Sequence, residues 1–386
     1  MTDTILILNA GSSSVKFQLF GRTESLPLLA TGSVTNIGTA PVLKAERSGT
    51  SSKIKIDLPP NETQKQAVKE ILQWVDGLNA GWKITVVAHR FVAGGSEFFE
   101  PTIITANVFH KLKDLVPLAL LHQPHHLSAV GVITRNLAFV PQIACFDTAF
   151  HAGREKKFTN YAIPQAITDK GVKRYGAHGL SYAWSAQVLK KEHPDLAAGR
   201  VVVAHLGNGS SLCAIQNGKC VFTTMGMTVL DGLPMGTRCG SIDPGVIFFM
   251  IRELGMTSAQ VESMFYKESG LKGMSGISND VKTLLESNDP RAKYALDYFE
   301  THISMHIASA AATMGGIDGL VFTGGIGENA GPVRDAILNR LAFLKIPKMI
   351  IIPANEERYM AEQAMVCLSS SAELRRLVAE SPGKML

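Results

Sequence analysis

Cysteine is scarce and scattered in this chain of 386 residues, and long apolar runs are missing. The five cysteines are odd in number, and no two of them form a C-x-x-C pair. This pattern argues against a disulfide framework or a zinc site and favours a reducing compartment. No uninterrupted apolar run approaches the roughly 18 residues of a membrane-spanning helix. The first ten residues contain Asp3 and no basic stretch, unlike a signal peptide, so we expect a cytoplasmic protein that does not bind membranes.

Charged residues are also few, at 18%, whereas hydrophobic residues make up 46% of the chain. This balance excludes a disordered protein and predicts a large buried core. The length suggests about two domains. The net charge is +5 without a block of Lys or Arg, which fits a small anionic ligand and argues against a nucleic-acid surface.

Two stretches half a chain apart share one design. "TILILNAGSSSVKF" begins at Thr4, and "VVVAHLGNGSSLCAI" begins at Val201. Each has an apolar strand, then Asn with Gly, then consecutive serines, then an alternating strand. The repetition predicts two related halves. Elsewhere strands alternate with amphipathic helices, which indicates an α/β protein whose sheets are covered by helices.

Three glycine loops are candidates for phosphate binding. The loops at Gly11–Ser14 and at 208–211 have small side chains and are expected to present free N–H groups to phosphate oxygens. Neither is a P-loop, because G-x-x-x-x-G-K-[ST] is missing and a strand follows. The third loop, 324–329, is expected to open a helix with Pro332 in its first turn. It also matches the dinucleotide pattern G-x-G-x-x-A, but lacks the acid expected about 20 residues later.

Four charged or ionisable residues stand near strand ends or glycine turns. Arg90 and Arg238 can be surface arginines, or can hold a carboxylate or a moving phosphoryl group. His178 can be structural, and Asp147 can be a helix cap. The three histidines of "HQPHH" are read as a loop packed by Pro124, since no acid or cysteine accompanies them as metal ligands.

A series of motifs together resembles one enzyme family. The motifs are LNAGSSSVKF, HRFVAGG, FDTAFH, RYGAHGLS, AHLGNGSS, GLPMGTRCGSIDPG, FTGGIGEN and IPANEE, and they span nearly the whole chain. In their order the chain resembles the acetate and propionate kinase family of the actin-like ATPase superfamily. The resemblance implies two actin-like (ribonuclease H-like) domains, each a mixed sheet flanked by helices, with an interdomain cleft. It implies an N-terminal domain of residues 1–149 plus about 370–386, and a C-terminal domain of residues 150–369 with most nucleotide contacts.

The resemblance also implies roles for individual residues. The implied catalytic residues are Asp147, His178, Arg238, Arg90 and Asn208. The implied nucleotide contacts are Lys16, His205, Leu206, Gly207, Asn208, Gly209, Asp280, Val281, Lys282, Gly325, Ile326, Gly327, Glu328 and Asn329. The implied acyl pocket comprises Arg90, Val92, Leu121, Ala177 and Val229, with Arg90 holding the carboxylate. Asn9 and Glu356 are implied as positions for Mg²⁺ or Mn²⁺, with ATP as co-substrate.

The implied reaction is reversible, direct in-line phosphorylation of acetate, and also of propionate, to the acyl phosphate. A carboxylate is already an anionic nucleophile, so catalysis should consist of placement and charge neutralisation. Asp147 is then expected to orient the acceptor or an arginine instead of removing a proton. A homodimer is also implied. The alternatives are a hydroxyl or sugar kinase with Asp147 as general base, and a non-catalytic actin-like nucleotide-binding protein.

The chain departs from the family pattern at four places. Ala177 replaces an aromatic residue and Val229 a proline, which predicts a wider acyl pocket. Lys282 replaces an arginine, whose guanidinium could stack on the nucleotide base and form paired hydrogen bonds. The preference for one nucleotide base over another is therefore left open. The segment before Glu356 is short. That shortening either trims a surface hairpin or displaces Glu356.

Overall fold

The computed structural model describes residues 1–50 and 53–370, and these residues form two compact units. Unit 1 is Met1–Ala149 together with the described residues from Asn355 to Ser370, and unit 2 is Phe150–Ala354. The chain therefore returns to unit 1 at Asn355, ahead of the expected position near residue 370. The expected returning segment 371–386 lies outside the described residues.

Unit 1 is built on an eight-stranded mixed sheet. Its strands are β1 (Thr2–Ala10), β2 (Val15–Gly21), β3 (Leu28–Thr35), β4 (Val42–Arg47), β5 (Lys53–Asp57), β6 (Trp82–Phe91), β7 (Thr102–Ile103) and β8 (Gln142–Phe146). Their order is β5-β4-β3-β2-β1-β6-β8-β7. Strands β1, β6 and β8 are parallel, while β1 and β2 form the first of the two repeated hairpins.

Three helices precede unit 2: α1 (Gln64–Gly77), α2 (Ala106–Asp114) and α3 (Gln123–Asn136). Thr63 starts α1 with a capping box, since its side chain and that of Gln66 each bond the other's backbone N–H. The reading of "HQPHH" as a loop is wrong, because α3 begins at Gln123 with Pro124 in its first turn. His126 is buried, and its ring packs edge-on against Phe91.

Unit 2 carries a five-stranded mixed sheet. Its strands are β9 (Arg200–His205), β10 (Ser211–Gln216), β11 (Lys219–Thr223), β12 (Gly319–Thr323) and β13 (Met349–Ile351). Their order is β11-β10-β9-β12-β13, with β9, β12 and β13 parallel and β9–β10 antiparallel. This order repeats β3-β2-β1-β6-β8 of unit 1. The predicted relation between the halves and the predicted fold class are both confirmed.

The remaining helices belong mostly to unit 2. They are α4 (Lys156–Thr159), α5 (Gln165–Thr168), α6 (Gly179–Glu192), α7 (Pro194–Ala197), α8 (Pro244–Arg252), α9 (Ser258–Lys267), α10 (Gly270–Ser275), α11 (Val281–Leu285), α12 (Pro290–Met314), α13 (Gly324–Asn329), α14 (Gly331–Arg340) and, returning to unit 1, α15 (Glu356–Ser370). Helix α12 buries Phe299, Ile303 and Ile307, which share one face at helical spacing. Among the described residues, no helix is long and apolar enough to cross a membrane.

Candidate active site

Arg90 and Asp147 form an ion pair in unit 1 whose carboxylate is buried. Arg90 lies near the end of β6, and Asp147 follows β8, its parallel neighbour. Arg90 Nε donates to both carboxylate oxygens, at 3.2 and 3.1 Å, and Nη2 donates to Oδ2 at 2.7 Å. The Asp147 side chain is only 1% exposed. Burial opposes the charge of Arg90, but Asp147 and then Glu356 outweigh it and raise the pKa of this guanidinium.

Asn9 and Glu356 meet the same guanidinium at its other nitrogen. Asn9 is the second-last residue of β1, and its Oδ1 accepts a hydrogen bond from Arg90 Nη1 at 3.5 Å. Glu356 Oε2 lies 3.6 Å from Nη1. Glu356 opens α15, where the helix dipole favours an acid. The short segment before Glu356 therefore does not keep this carboxylate from Arg90.

The oxygen atoms around Arg90 fit a hard divalent cation. Mg²⁺ prefers oxygen ligands and usually takes only one or two carboxylates besides water and phosphate oxygens. Asn9 and Glu356 supply one amide and one carboxylate oxygen. Burial, and then the neighbouring Glu356, raise the pKa of Glu357. A bound cation would oppose both causes, because it favours the ionised carboxylate.

The first glycine loop is closed by its own backbone. The Gly11 N–H donates to the Ser14 carbonyl at 2.8 Å, so the expectation of a free amide there is wrong. Gln64 at the start of α1 donates from Nε2 to the Gly11 carbonyl at 2.6 Å. Helix α1 therefore fixes this loop.

Lys16, on β2, lies with Glu357 on the wall of a cavity of about 670 Å³ in unit 1.

The predicted acyl-pocket residues of unit 1 differ in exposure. Val92 directly follows β6 and is buried. Leu121 lies in the turn before α3 and is 37% exposed. Their assignment to an acyl pocket stays a prediction.

His178 of unit 2 occupies a strained turn and is held by hydroxyl groups. It has a left-handed backbone, with φ of 55°, immediately before α6, and such conformations cluster at functional sites. Its Nδ1 lies 2.8 Å from Ser211 Oγ, which also bonds the hydroxyl of Tyr182. The His178 ring stacks on His205 with 4.4 Å between centroids. Ser181 in turn bonds His205 Nδ1 at 2.8 Å.

Arg238 and His178 converge on the second glycine loop. A Cβ atom added at Gly209 would lie 3.3 Å from Arg238 Nη2 and 3.3 Å from His178 Nε2. Any larger side chain would therefore crowd both groups. Arg238 Nη1 donates to the Val229 carbonyl at 2.8 Å, which fixes the direction of the guanidinium. The structure thus unites three residues that lie far apart in the sequence.

Ala177 and Val229 meet in a small apolar cluster with two methionines. Ala177, Met225 and Met235 are buried, and Val229 packs against them. Arg238 also contacts the Met235 sulfur at 3.5 Å. Sequence reasoning missed both methionines, since an apolar residue in an irregular segment carries no periodic signal.

A cavity of about 470 Å³ in unit 2 collects most of the predicted nucleotide contacts. It is lined by Gly207, Asn208, Asn279, Asp280, Val281, Lys282, Leu285, Gly325, Ile326, Asn329, Ala330 and Pro332. The volume lies within the range of small-molecule sites. Asn279 Nδ2 donates to Asn208 Oδ1 at 3.0 Å, and Asp280 caps α11 through the Thr283 N–H. Lys282 is exposed and lies 3.9 Å from Glu286.

Other predicted nucleotide contacts lie off the wall of this cavity. They are Lys16, His205, Leu206, Gly209, Gly327 and Glu328. Leu206 is fully buried, and its carbonyl accepts from the N–H groups of Ile326 and Gly327. Glu328 accepts from the Ala354 N–H at 2.9 Å. These contacts support the loops, and direct nucleotide contact by these residues stays a prediction.

The expectation about the third glycine loop needs correction. Residues Gly324–Asn329 form the short helix α13, not a loop, because Gly324 adopts φ of 79° and lets the chain turn directly out of β12. Pro332 does lie in the first turn of α14, as predicted. Just before the second loop, the Gly207 N–H donates to Ser210 Oγ at 3.2 Å.

The comparison with known proteins identifies the family. Residues 4–375 match the profile of the Acetokinase family. The chain belongs to this family. It is 43% identical over 354 residues to an acetate kinase of Rhodopseudomonas palustris (strain ATCC BAA-98 / CGA009), covering 90% of this chain and 88% of the relative.

Two solved structures of similar proteins support the assignment. The acetate kinase of Porphyromonas gingivalis has a TM-score of 0.85 at 34% identity, covering 95% of this chain and all of that one. A propionate kinase from Francisella tularensis has a TM-score of 0.88 at 34% identity, covering 94% of this chain and 99% of that one. Membership in the Acetokinase family makes this chain a kinase whose acceptor is a carboxylate.

Proposed function

We propose that this chain transfers the γ-phosphoryl group of ATP to acetate, and to propionate, in a reversible in-line reaction that yields the acyl phosphate. Relatives named acetate kinase and propionate kinase support both acceptors. The observation that carries the proposal is the engagement of both Asp147 oxygens by Arg90. A hydroxyl acceptor needs a general base, and an ion-paired aspartate is a poor one. A carboxylate acceptor needs no base.

The proposed roles follow from the contacts within each unit. Asp147 is a positioning residue that holds the Nε–Nη2 edge of Arg90, and Arg90 binds the acceptor carboxylate through its remaining donors. In unit 2, Arg238, His178 and Asn208 stabilise the charge of the transferring phosphoryl group. Fixed donors serve this purpose because they need no reorganisation when the charge develops.

The nucleotide is proposed to bind the cavity of about 470 Å³ in unit 2. Asn208, Gly325 and Asn329 supply polar groups there, and Val281 and Ile326 supply apolar surface. Asn9 and Glu356 would hold Mg²⁺, which when bound neutralises charge on phosphate oxygens. Loss of either side chain is expected to raise the Mg²⁺ concentration required for activity.

A coupled assay of ATP consumption with formate, acetate, propionate and butyrate tests this function. Hydroxylamine in parallel reactions traps an acyl phosphate as a hydroxamate, whereas it does not trap a sugar phosphate. We expect hydroxamate with acetate and with propionate. ATP turnover with glucose or glycerol and no hydroxamate with any acid would contradict the proposal. ATP binding with no turnover on any acceptor would instead support the non-catalytic alternative.

We also propose that the chain forms a homodimer through helix α8. None of the residues of α8 is buried, although the helix is strongly apolar. Phe248 and Phe249 are 53% and 56% exposed. An exposed apolar patch on a helix is typical of a protein interface. Because the same face exists on every copy, a twofold pairing can bury it.

Light scattering at several protein concentrations tests the homodimer. The double substitution Phe248→Asp with Phe249→Asp is expected to give a monomer, because it puts two charges on the buried face. Phe343→Asp, at a phenylalanine that is 70% exposed elsewhere in unit 2, is the matched control and should leave the mass unchanged. A monomeric wild type would overturn this part of the proposal.

A further inference from the structure

Three buried side chains of unit 2 bring two sulfur atoms and a ring nitrogen together. They are His151, Cys213 on β10 and Cys220 on β11. Their possible ligand atoms lie within 4.8 Å of one another. Within the described residues, no fourth His, Cys, Asp or Glu belongs to this group. The proposed phosphoryl transfer uses none of the three.

The ring of His151 is oriented as in metal-binding histidines. Its Nε2 lies 2.8 Å from the Ala177 carbonyl oxygen. A carbonyl can only accept, so Nε2 carries the proton and the lone pair is on Nδ1. Nδ1 lies 3.1 Å from Cys220 Sγ. Histidine ligands of metals typically donate their second ring N–H to a carbonyl or carboxylate in this way.

The strand register favours a cation bound between the two sulfurs over a disulfide bond between them. Cys213 lies opposite Thr223, and Cys220 lies opposite Ile215, across a bulge between β10 and β11. The cysteines are thus diagonal neighbours on one face of the sheet. Diagonal neighbours have Cα atoms about 7–8 Å apart, whereas disulfides need roughly 4.4–6.8 Å. A cation between the sulfurs requires no such approach of the backbone.

Arg154 adds a positive charge beside the cysteines. Its Nε donates to the His151 carbonyl at 2.8 Å, and its buried Nη1 has no hydrogen-bond partner among the described residues. Both cysteines lie close enough to interact electrostatically with its guanidinium. The guanidinium favours thiolates over thiols. Two thiolates with a monovalent cation carry one net negative charge, which Arg154 balances.

We propose that His151, Cys213 and Cys220 form a binding site for a soft closed-shell cation, Cu⁺ in preference to Zn²⁺. Thiolates select these two metals, and a set of three ligands suits Cu⁺, whereas structural Zn²⁺ takes four. Binding replaces two S–H bonds with two metal–sulfur bonds and releases both protons to solvent. His151 contributes the Nδ1 lone pair, and no electron is transferred.

The test uses the full-length protein, reduced, stripped of metal and kept without oxygen. Cu⁺ is titrated against a chromophoric Cu⁺ chelator, and Zn²⁺ is titrated separately against a zinc chelator. We expect one equivalent of Cu⁺, thiolate-to-metal absorption, and weaker Zn²⁺ binding. Cys213→Ser and Cys220→Ser should each lower Cu⁺ affinity by more than the about 10–100-fold typical of lost outer contacts. Cys239→Ser, also in unit 2, is the matched control and should bind as the wild type does.

Several outcomes would overturn the site. Wild-type protein that binds neither metal would do so, as would Cys220→Ser that binds as tightly as Cys239→Ser. Zn²⁺ binding tighter than Cu⁺ would overturn the stated preference. Circular dichroism checks that each variant folds. If one does not fold, X-ray absorption on the loaded wild type decides, since sulfur and nitrogen donors support the site and only nitrogen and oxygen donors refute it.

Discussion

The two units repeat one strand order but fix their candidate site residues by different contacts. In unit 1, beside the hairpin β1–β2, Arg90 is fixed by ion pairing with Asp147 at 2.7 Å. In unit 2, beside the hairpin β9–β10, His178 is fixed by the hydroxyl of Ser211 at 2.8 Å. The scaffold therefore sets where side chains stand, and the residues at or beside the ends of its strands and helices set the chemistry.

The largest expected effect is on kcat and comes from a substitution in unit 2. Arg238→Ala should lower kcat by about 10²–10⁴-fold, as removal of an electrostatic stabiliser typically does. Steady-state kinetics with acetate and ATP measure it. Arg291→Ala, which removes an exposed arginine paired with Asp289 in the same unit, is the control. Equal kcat values for the two variants would remove Arg238 from the proposed mechanism.

The corresponding change in unit 1 should appear in stability as well as in activity. Arg90→Ala leaves Asp147 buried without its cation, which should cost about 3–5 kcal/mol of unfolding free energy. Urea unfolding of protein carrying Trp184→Phe reports on this unit, because the other two tryptophans, Trp74 and Trp82, lie there. Lys53→Ala breaks an exposed pair with Glu46 and should cost at most about 1 kcal/mol. A loss for Arg90→Ala no larger than this control would refute the prediction.

Acid should destabilise unit 1 through buried neutral histidines. Burial lowers the pKa of His89 to about 4, against a hydrogen bond to Gln142 that partly opposes the shift. Between pH 6.5 and 4 the unfolded state therefore binds more protons than the folded state, and stability falls as the pH falls. The expected loss is about 3 kcal/mol. His126, whose pKa burial also lowers, acts in the same direction.

Unfolding free energies at several pH values across this window measure the effect. His89→Gln removes the titrating group and should reduce the slope of stability against pH. His193→Gln in unit 2 is the control for the substitution of a histidine by glutamine as such. An unchanged slope in the His89 variant would show that other groups cause the acid sensitivity.

The smallest expected effect concerns the choice between acids. Ala177→Phe introduces the aromatic residue that the family resemblance leads us to expect at this position, and it should reduce the space beside Met225, Met235 and Val229. The ratio of kcat/KM for propionate to that for acetate should fall by about 10–200-fold, the range for one methylene. Thermal unfolding of the variant is the stability control, because overpacking this buried position can cost about 1–3 kcal/mol of unfolding free energy. A wild type that already strongly prefers acetate would refute the widened pocket.

Much of the fold was readable from local patterns. The two hairpins were predicted because apolar and polar residues alternate along their strands and Gly and Ser mark the turns between them, and both patterns are visible in the local sequence. The start of α14 at Pro332 was predictable for a similar reason. The helix α13 was missed, because its glycine-rich sequence is typical of loops and its conformation depends on contacts with the Leu206 carbonyl.

The candidate site divides along the same line. Glycine motifs identified Gly207, Asn208 and Gly325, which do line one cavity. Met225 and Met235 gave no signal, since their importance lies in what they contact. The cysteine spacing even argued against metal binding, yet β10 and β11 bring Cys213 and Cys220 to one face beside His151.

The sequence by itself determined the residue types, the duplicated hairpins and the family, because these depend on local pattern and motif order. Only the tertiary structure decided which charges and donors meet: Arg90 with Asp147, Arg238 with His178 at Gly209, and His151 with two sulfurs. The physical reason is distance. Electrostatic and ligand interactions act over a few ångströms in space, and positions tens of residues apart become neighbours only when the sheets form.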